Sequence, residues 1–242
     1  SELLTQKHRV IKVRIGKPIS VNELNEHETI PEFGEFLRKK TYMLSKSFEE
    51  KEEENFKLTF PKFTSSPKAA KQIVKPANHE QIIEEINFLK EGDYQLLQSK
   101  NYRVFLVTAE KIPNILHEIG RLREITFREV GEGTNEAIDL DKYDQYYHHM
   151  FLWDDDAQMI AGAYRMGFGS KIFPKYGLDG FYLNELFKFE PELNDMMSQS
   201  IEMGRAFIIS EYQQKPMPLF LLWKGIVHTT LHYPEHKFLI GG

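Results

Sequence analysis

Several stretches of this chain set ionisable side chains among apolar ones. The run IEMGRAFIIS (201–210) has the composition of a buried strand, yet it carries Glu202 and Arg205. A buried strand seldom holds charges unless something there needs them. Strict alternation puts Met203 and Phe207 on one face and Glu202, Gly204 and Ala206 on the other, with Arg205 opposite Glu202 unless a bulge at Gly204 turns it. A partly buried carboxylate beside two small residues suits a general base near neutral pH. A structural Glu–Arg pair accounts for the same two residues.

Other charges recur upstream. Arg123 stands seven residues after Leu116 and four after Ile119, at the edge of a helical stripe that Phe127 continues. From the helix alone, snorkelling is the expectation, and holding a carboxylate the alternative. IDLDKYDQYYHHM brings Asp139, Asp141 and Asp144 close together before His148 and His149. A calcium loop fails, because the sixth and twelfth positions from Asp139 hold Asp144 and Met150 instead of Gly and Glu. Adjacent histidines on a strand face opposite ways, which disfavours a metal site. A carboxylate pair facing an amine or an arginine is more natural. Arg165 interrupts a further strand, IAGAYRMGFG, and Asp154–Asp156 reads as a solvated hairpin turn. There is no G-x-S-x-G, Walker loop or G-x-G-x-x-G.

The elements that must position these residues begin at about residue 79. Helices are expected over HEQIIEEINFL, 112–130, 191–199 and LFLLWKGIVHTTLHY. YRVFLVTA, the hairpin HMFLWDDDAQMIAGAYRMGFG, FYLNELFKF (181–189), IEMGRAFIIS and KFLIGG read as extended pieces. The class is α/β with a mixed sheet. Before it, HRVIKVRIGKPIS alternates like a strand, and 31–48 has helical spacing with the basic triplet Arg38–Lys40, read as a solvated face. An acidic run and a Pro-, Ser- and Lys-rich stretch make 49–78 a linker. The chain stops at Gly242 directly after a strand-like run, so the domain over 79–242 is expected to continue beyond it.

Composition narrows the classes. The chain has 242 residues, 41% hydrophobic and 28% charged, as in ordinary globular protein. It has no signal pattern and no apolar run of the about 20 residues that a membrane span needs. With no cysteine, disulfides, thiolate metal sites and a cysteine nucleophile are excluded. A net charge of −5 gives no nucleic-acid footprint. A cytoplasmic setting fits these features.

The ordered series REITF (Arg123, Phe127), DKYD (Asp141, Asp144), AGAYR (Arg165), GFYLNELF (Phe181) and EMGR (Glu202, Arg205) resembles the acyl-carrier-protein-dependent N-acyltransferases of the GNAT superfamily. That group includes ornithine-lipid synthases, hemolysin-like proteins and acyl-homoserine-lactone synthases; LLWKGI and KFLIGG look like its ornithine-lipid branch. The resemblance covers about 80–242 and implies a GNAT-like mixed central sheet flanked by helices, with a small N-terminal strand–helix extension. It makes Glu202 the catalytic base and Arg205 its catalytic companion. Arg123, Asp141, Asp144 and Arg165 become substrate-site charges, and Phe127 and Phe181 apolar positions beside them. It implies transfer of a (3-hydroxy) fatty acyl chain from acyl carrier protein to the amine of an amino acid, in aminolipid biosynthesis, with no metal and no permanently bound cofactor. The usual pyrophosphate loop of acyl-CoA enzymes is missing, its place taken by EYQQKPMPLF. An acyl-CoA-dependent enzyme and a non-catalytic acyl-binding module are the alternatives. Phe181, Phe187 and Trp223 are candidates for the acyl slot, Trp223 being expected in the core. IKVRIGKPIS with FLRKKTYMLS makes 1–48 look like the tail of a PlsC-type lysophospholipid acyltransferase without its H-x-x-x-x-D: His79 is followed five residues later by Glu84. Such a neighbour implies contact with the inner membrane surface.

Overall fold

The computed structural model describes residues 19, 34, 36–41 and 70–241. The chain divides into two compact units, Ser1–Ser66 and Pro67–Gly242. In the first, residues 36–41 are helical, within the helix expected at 31–48. Thr41 Oγ1 donates to the Leu37 carbonyl at 2.9 Å, and Lys40 Nζ lies 5.2 Å from the centre of the Phe36 ring. The opening strand, apart from Ile19, and the linker up to residue 69 lie outside the described residues.

The second unit opens with an extended stretch tied to its body: Lys71 N and Val74 N donate to the Asn135 and Ala137 carbonyls, and Ala77 N to Glu118. Helix α1 (His79–Glu91) follows, its first turn capped by Asn78, whose side chain accepts from Glu80 N. Strands β1 (Gln95–Ser99) and β2 (Tyr102–Thr108) form a hairpin. Helix α2 (Pro113–Glu129) starts on a proline, which has no N–H to leave unpaired. Glu85 of α1 accepts from Asn114 N and Ile115 N, so one carboxylate caps α2 and fixes the two helices together. Strands β3 (His148–Asp154) and β4 (Met159–Phe168) form the expected hairpin. Four short helices, α3 (Gly169–Tyr176), α4 (Leu183–Leu186), α5 (Asn194–Ser198) and α6 (Ser210–Gln213), surround β5 (Ser200–Ile208). Helix α7 (Pro216–His232) then crosses to β6 (Phe238–Gly241).

The six strands lie in sequence order, antiparallel except for the parallel pair β5–β6 that the α7 crossover requires. This is the mixed sheet flanked by helices that the sequence implied. Alternation gives the sheet two apolar faces: Val104 and Met150 meet α7 at Gly225, while Phe105 and Phe151 stack on the other face with centroids 5.3 Å apart. Pairing of β5 with β6 runs only from Ser200 to Met203. From Gly204 onward the outer edge of β5 has no strand beside it among the described residues.

Four expectations are corrected. FYLNELFKF is not extended: Leu183–Leu186 closes one helical turn, with Phe187 N donating to the Leu183 carbonyl. Asp154 is buried, accepting from Asn101, Tyr212, Asp156 N and Ala157 N, so the hairpin turn is built around it and is not simply solvated. Trp223 is 63% exposed, because the face of α7 that packs on the sheet carries Leu221, Leu222 and Gly225. The inward stripe of α2 is Ile115, Ile119, Arg123 and Thr126, with Leu116 and Leu122 at its flanks.

Candidate active site

Gly120 sets the geometry of the charged cluster. A Cβ there would stand 2.6 Å from the Leu140 side chain, so a larger residue would push the 138–141 loop's side chains away from α2. Asp139 N donates to the Gly120 carbonyl. One turn later Arg123 points at the same loop. It does not snorkel: it is 1% exposed and grips both oxygens of Asp144 at 3.2 and 2.9 Å, with Nε 3.1 Å from Asp139 Oδ2. The loop folds back through a capping box in which the Asp141 side chain accepts from Asp144 N and the Asp144 side chain accepts from Asp141 N, with Tyr143 N also donating to Asp141.

Arg165 enters from β4, its Nη1 2.6 Å from Asp141 Oδ1 and 3.2 Å from Asp144 Oδ2. Arg205 completes the set by a route that alternation alone misses. Ala163 pairs with Phe207 and Arg165 with Gly204, so β5 spends one residue more than β4 between these pairs. That is a β-bulge, and Arg205 sits in it at φ 52°. The bulge swings Arg205 to the aspartate side, with Nη1 3.4 Å from Asp139 and Nη2 3.8 Å from Asp141. Three arginines thus meet three aspartates, which offsets the cost of burying them. Burial opposes ionisation of Asp144, but Arg123 and Arg165 hold its pKa at about 2. His149, from β3, has its Nε2 2.9 Å from the Asp144 carbonyl; a carbonyl can only accept, so that nitrogen carries the proton. Burial pushes its pKa down to about 4.

The cluster is closed below and open above. Arg123, Asp139, Asp144 and Arg165 are buried, whereas the side chains of Arg205 and Asp141 are 21% and 28% exposed. Arg205 is also under-used: both its ion pairs are long, and its Nε has no acceptor among the described residues. Tyr182 lies against this rim, its ring centre 5.3 Å from the guanidinium carbons of both Arg165 and Arg205.

Glu202 lies on the Arg165 side of the sheet, since it pairs with Gly167 and Gly204 with Arg165. It is 3% exposed, while its small neighbour Gly204 leaves open space, with nothing within 4 Å of where a Cβ would stand. Its carboxylate accepts from the Tyr147 hydroxyl at 2.7 Å, Tyr182 N at 3.1 Å and Leu183 N at 3.1 Å. Burial pushes its pKa above the usual glutamate value despite those three donors. Tyr147 reaches it by lying across Gly167, where a Cβ would be 2.5 Å from the ring. Tyr147 and Tyr182 therefore bridge Glu202 to Arg165, whose guanidinium carbon is 5.3 Å from each ring centre.

Phe181 is fully buried in the small core of Tyr143, Tyr147, Ile172 and Met197, and supports these tyrosines from beneath. Phe127 instead lines a cavity of about 310 Å³ between α2, the free edge of β5 and α7, with Tyr164, Ala206, Phe207 and Leu219. Ala206 links this cleft directly to the bulge. Sequence reasoning missed Tyr147 and Tyr182, whose signals were the paired Tyr146–Tyr147 before the histidines and the Gly180 turn before Tyr182. Among the described residues no three histidine or acidic side chains converge on a metal position.

Comparison with known proteins defines the class. Residues 122–223, from α2 to α7, match the acetyltransferase (GNAT) domain model. With the mixed sheet flanked by helices, this likens the second unit to GNAT-type acyltransferase domains in fold. Two curated relatives are each 30% identical over 181 residues, or 70% of this chain: the glycine N(alpha)-acyltransferases of Bacteroides thetaiotaomicron and Phocaeicola vulgatus. The chain spans about half the length of each, 53% and 55%. The crystal structure of the AHL synthase LasI aligns over 59% of this chain and 72% of that one, with a TM-score of 0.42 and 16% identity.

Proposed function

We propose that the domain is an N-acyltransferase that moves a fatty acyl chain from a carrier-protein thioester to the α-amine of an amino acid, in aminolipid biosynthesis. The observation that carries this is the partly exposed pair Arg205–Asp141 on the rim above a buried, raised-pKa glutamate. A free amino acid presents one carboxylate and one ammonium; Arg205, with hydrogen-bonding capacity to spare, takes the first and Asp141 the second. Asp144, Arg123 and Arg165 hold the rim in place.

In the reaction, the bound ammonium loses a proton to Glu202 through one water, and the free amine attacks the thioester carbonyl. The oxyanion forms beside the bulge, where a main-chain N–H of β5 can stabilise it. Collapse breaks the C–S bond, and the departing thiolate takes the second proton, which the nitrogen gives up as the amide forms. The chain's apolar start lies in the cleft of Phe127, Tyr164 and Ala206.

A carrier protein is favoured over coenzyme A by α7. A helix N-terminus binds phosphate through free N–H groups, but here Pro216 and Pro218 remove two of them. The acceptor, left open by the sequence, is favoured as glycine by the names of both relatives. Residues 1–48 are proposed to be the tail of a PlsC-type acyltransferase whose own reaction would esterify the hydroxyl of a 3-hydroxyacyl product.

The test is a mass-spectrometric matrix of donors (3-hydroxyacyl carrier protein, the same acyl-CoA) against acceptors (glycine, ornithine, serine). The expected result is N-acylglycine from the carrier-protein donor. Product only from acyl-CoA would move the donor assignment, and no product with any pair would leave a non-catalytic acyl-binding module.

A further inference from the structure

Helix α7 is apolar on two opposite sides. One side, with Leu221, Leu222, Gly225 and Thr229, is buried against the sheet. The other carries Leu219, Phe220, Trp223, Val227 and Leu231, which are 51%, 61%, 63%, 56% and 71% exposed. At 3.6 residues per turn these five fall within an arc of about 120°. So broad a stripe of large apolar side chains marks an interaction surface.

We propose that this face seats the protein on an anionic lipid surface, with the helix lying in the interface plane. Three observations choose this occupant. Helix α7 contains no aspartate or glutamate; its charged residue is Lys224, beside Trp223, and Lys215 precedes it, while Glu211 and Glu235 lie beyond its two ends. Exposed aromatic and aliphatic side chains bordered by lysine fit a boundary that is apolar within and anionic at its rim. No helix of the described residues is long and apolar enough to cross a membrane, and α7, at 17 residues, is about 25 Å of helix lying flat.

The third observation is continuity. Pro216, Leu219, Phe220, Trp223, Lys224 and Val227 line an open groove of about 590 Å³ on this face. Leu219 is also a wall of the cleft that reaches Ala206 and the bulge. An apolar path therefore runs from the proposed reaction centre to the surface. In purpose this inference rests on the proposed acyl transfer, since an N-acylated amino acid is an amphiphile that must end in a bilayer. The surface itself is observed independently of the reaction.

The protein carries its own probe. Trp153 is 1% exposed, so a change in tryptophan emission on adding vesicles reports Trp223. The full chain is mixed with vesicles of phosphatidylethanolamine and phosphatidylglycerol, and separately with phosphatidylcholine. The expected result is a blue shift and loss of acrylamide quenching, stronger on the anionic vesicles. In Phe220→Ser/Trp223→Ser, co-sedimentation with vesicles should fall about tenfold or more while the melting temperature is kept. Three results would overturn the proposal: a folded wild type that does not partition, a double variant that partitions equally well, or a Trp223 already shielded in the free protein. Shielding relieved when Phe220→Ser alone, which keeps Trp223, splits a dimer would assign the face to a second copy. Turnover of a soluble donor is scored in parallel. Vesicle binding without acyl transfer would contradict the proposed reaction and leave this surface standing; transfer without binding would do the reverse.

Discussion

The Tyr147 hydroxyl donates to Glu202 Oε2 at 2.7 Å, and the ring that delivers it also lies 5.3 Å from the Arg165 guanidinium. One phenol thus couples the buried carboxylate on β5 to the charged rim. The hydroxyl favours the ionised form of Glu202, against the larger opposing effect of burial. Removing it in Tyr147→Phe loses a charge-assisted hydrogen bond of about 1.5–3 kcal/mol, which corresponds to a rise of about one pH unit or more in the carboxyl's pKa. The acid limb of the pH–rate profile should move upward by that amount, with turnover restored at high pH. A limb that stays in place would separate Tyr147 from the titrating group.

Arg205 combines backbone strain with contact to the rim, and two variants separate them. A non-glycine residue at φ 52° costs about 1–2 kcal/mol, which glycine avoids. Arg205→Gly should therefore be more stable than Arg205→Ala by about 1 kcal/mol in chemical denaturation. Both should raise the KM for the amino acid by about ten- to a hundredfold, the loss of one charged hydrogen-bonding partner. A KM unchanged in both would remove Arg205 from acceptor binding.

These two residues show what the sequence could and could not reveal. IEMGRAFIIS is legible as a strand, and Glu202, Arg205 and the aspartates stand out because charges are rare in apolar runs. The side to which Arg205 points depends on register with β4, a tertiary property that alternation within one strand does not contain. Arg123 likewise looked like a snorkelling residue because its partners, Asp139 and Asp144, are brought to it by the loop crossing at Gly120. Strand β1 was missed since Gln95 and Ser99 leave only Leu96 and Leu97 as an apolar signal. FYLNELFKF misled because Phe181, Tyr182 and Phe189 serve the small core from either side of a single helical turn, while Phe187 is half exposed. Trp223 was expected inside, as large aromatics usually are; both sides of α7 are apolar, and its sequence does not say which one meets the sheet.

Asp144 is the anchor of the network, and Asp144→Asn leaves Arg123 and Arg165 short of a buried counter-charge. A loss of about 3–5 kcal/mol is expected in urea denaturation at neutral pH. The sign of its pH dependence follows from a folded pKa of about 2, below the ordinary value of 3.8. The stabilisation is fully present above pH 4 and disappears as pH falls through about 2. The difference between wild type and variant should shrink over that window, and a constant difference would contradict the assignment.

His149 acts at a higher pH. Its folded pKa of about 4 lies below the ordinary 6.5, so the neutral ring contributes stability that is complete above pH 6.5 and is lost as pH falls towards 4. The shift corresponds to about 3 kcal/mol. Melting temperatures taken between pH 7 and 4 should fall less steeply in His149→Gln than in wild type. Parallel slopes would show that the ring is not held neutral.

The central claim is that Glu202 takes the amine proton, and single-turnover acyl transfer by Glu202→Gln against wild type, followed across pH, tests it most directly. The side chain keeps its shape, so Tyr147 and the rim should stay in place. The account predicts a rate about 10²–10⁴ times lower, together with loss of the acid limb that wild type shows above the ordinary glutamate range. A folded Glu202→Gln that transfers the acyl chain at the wild-type rate, with the same pH profile, would contradict it.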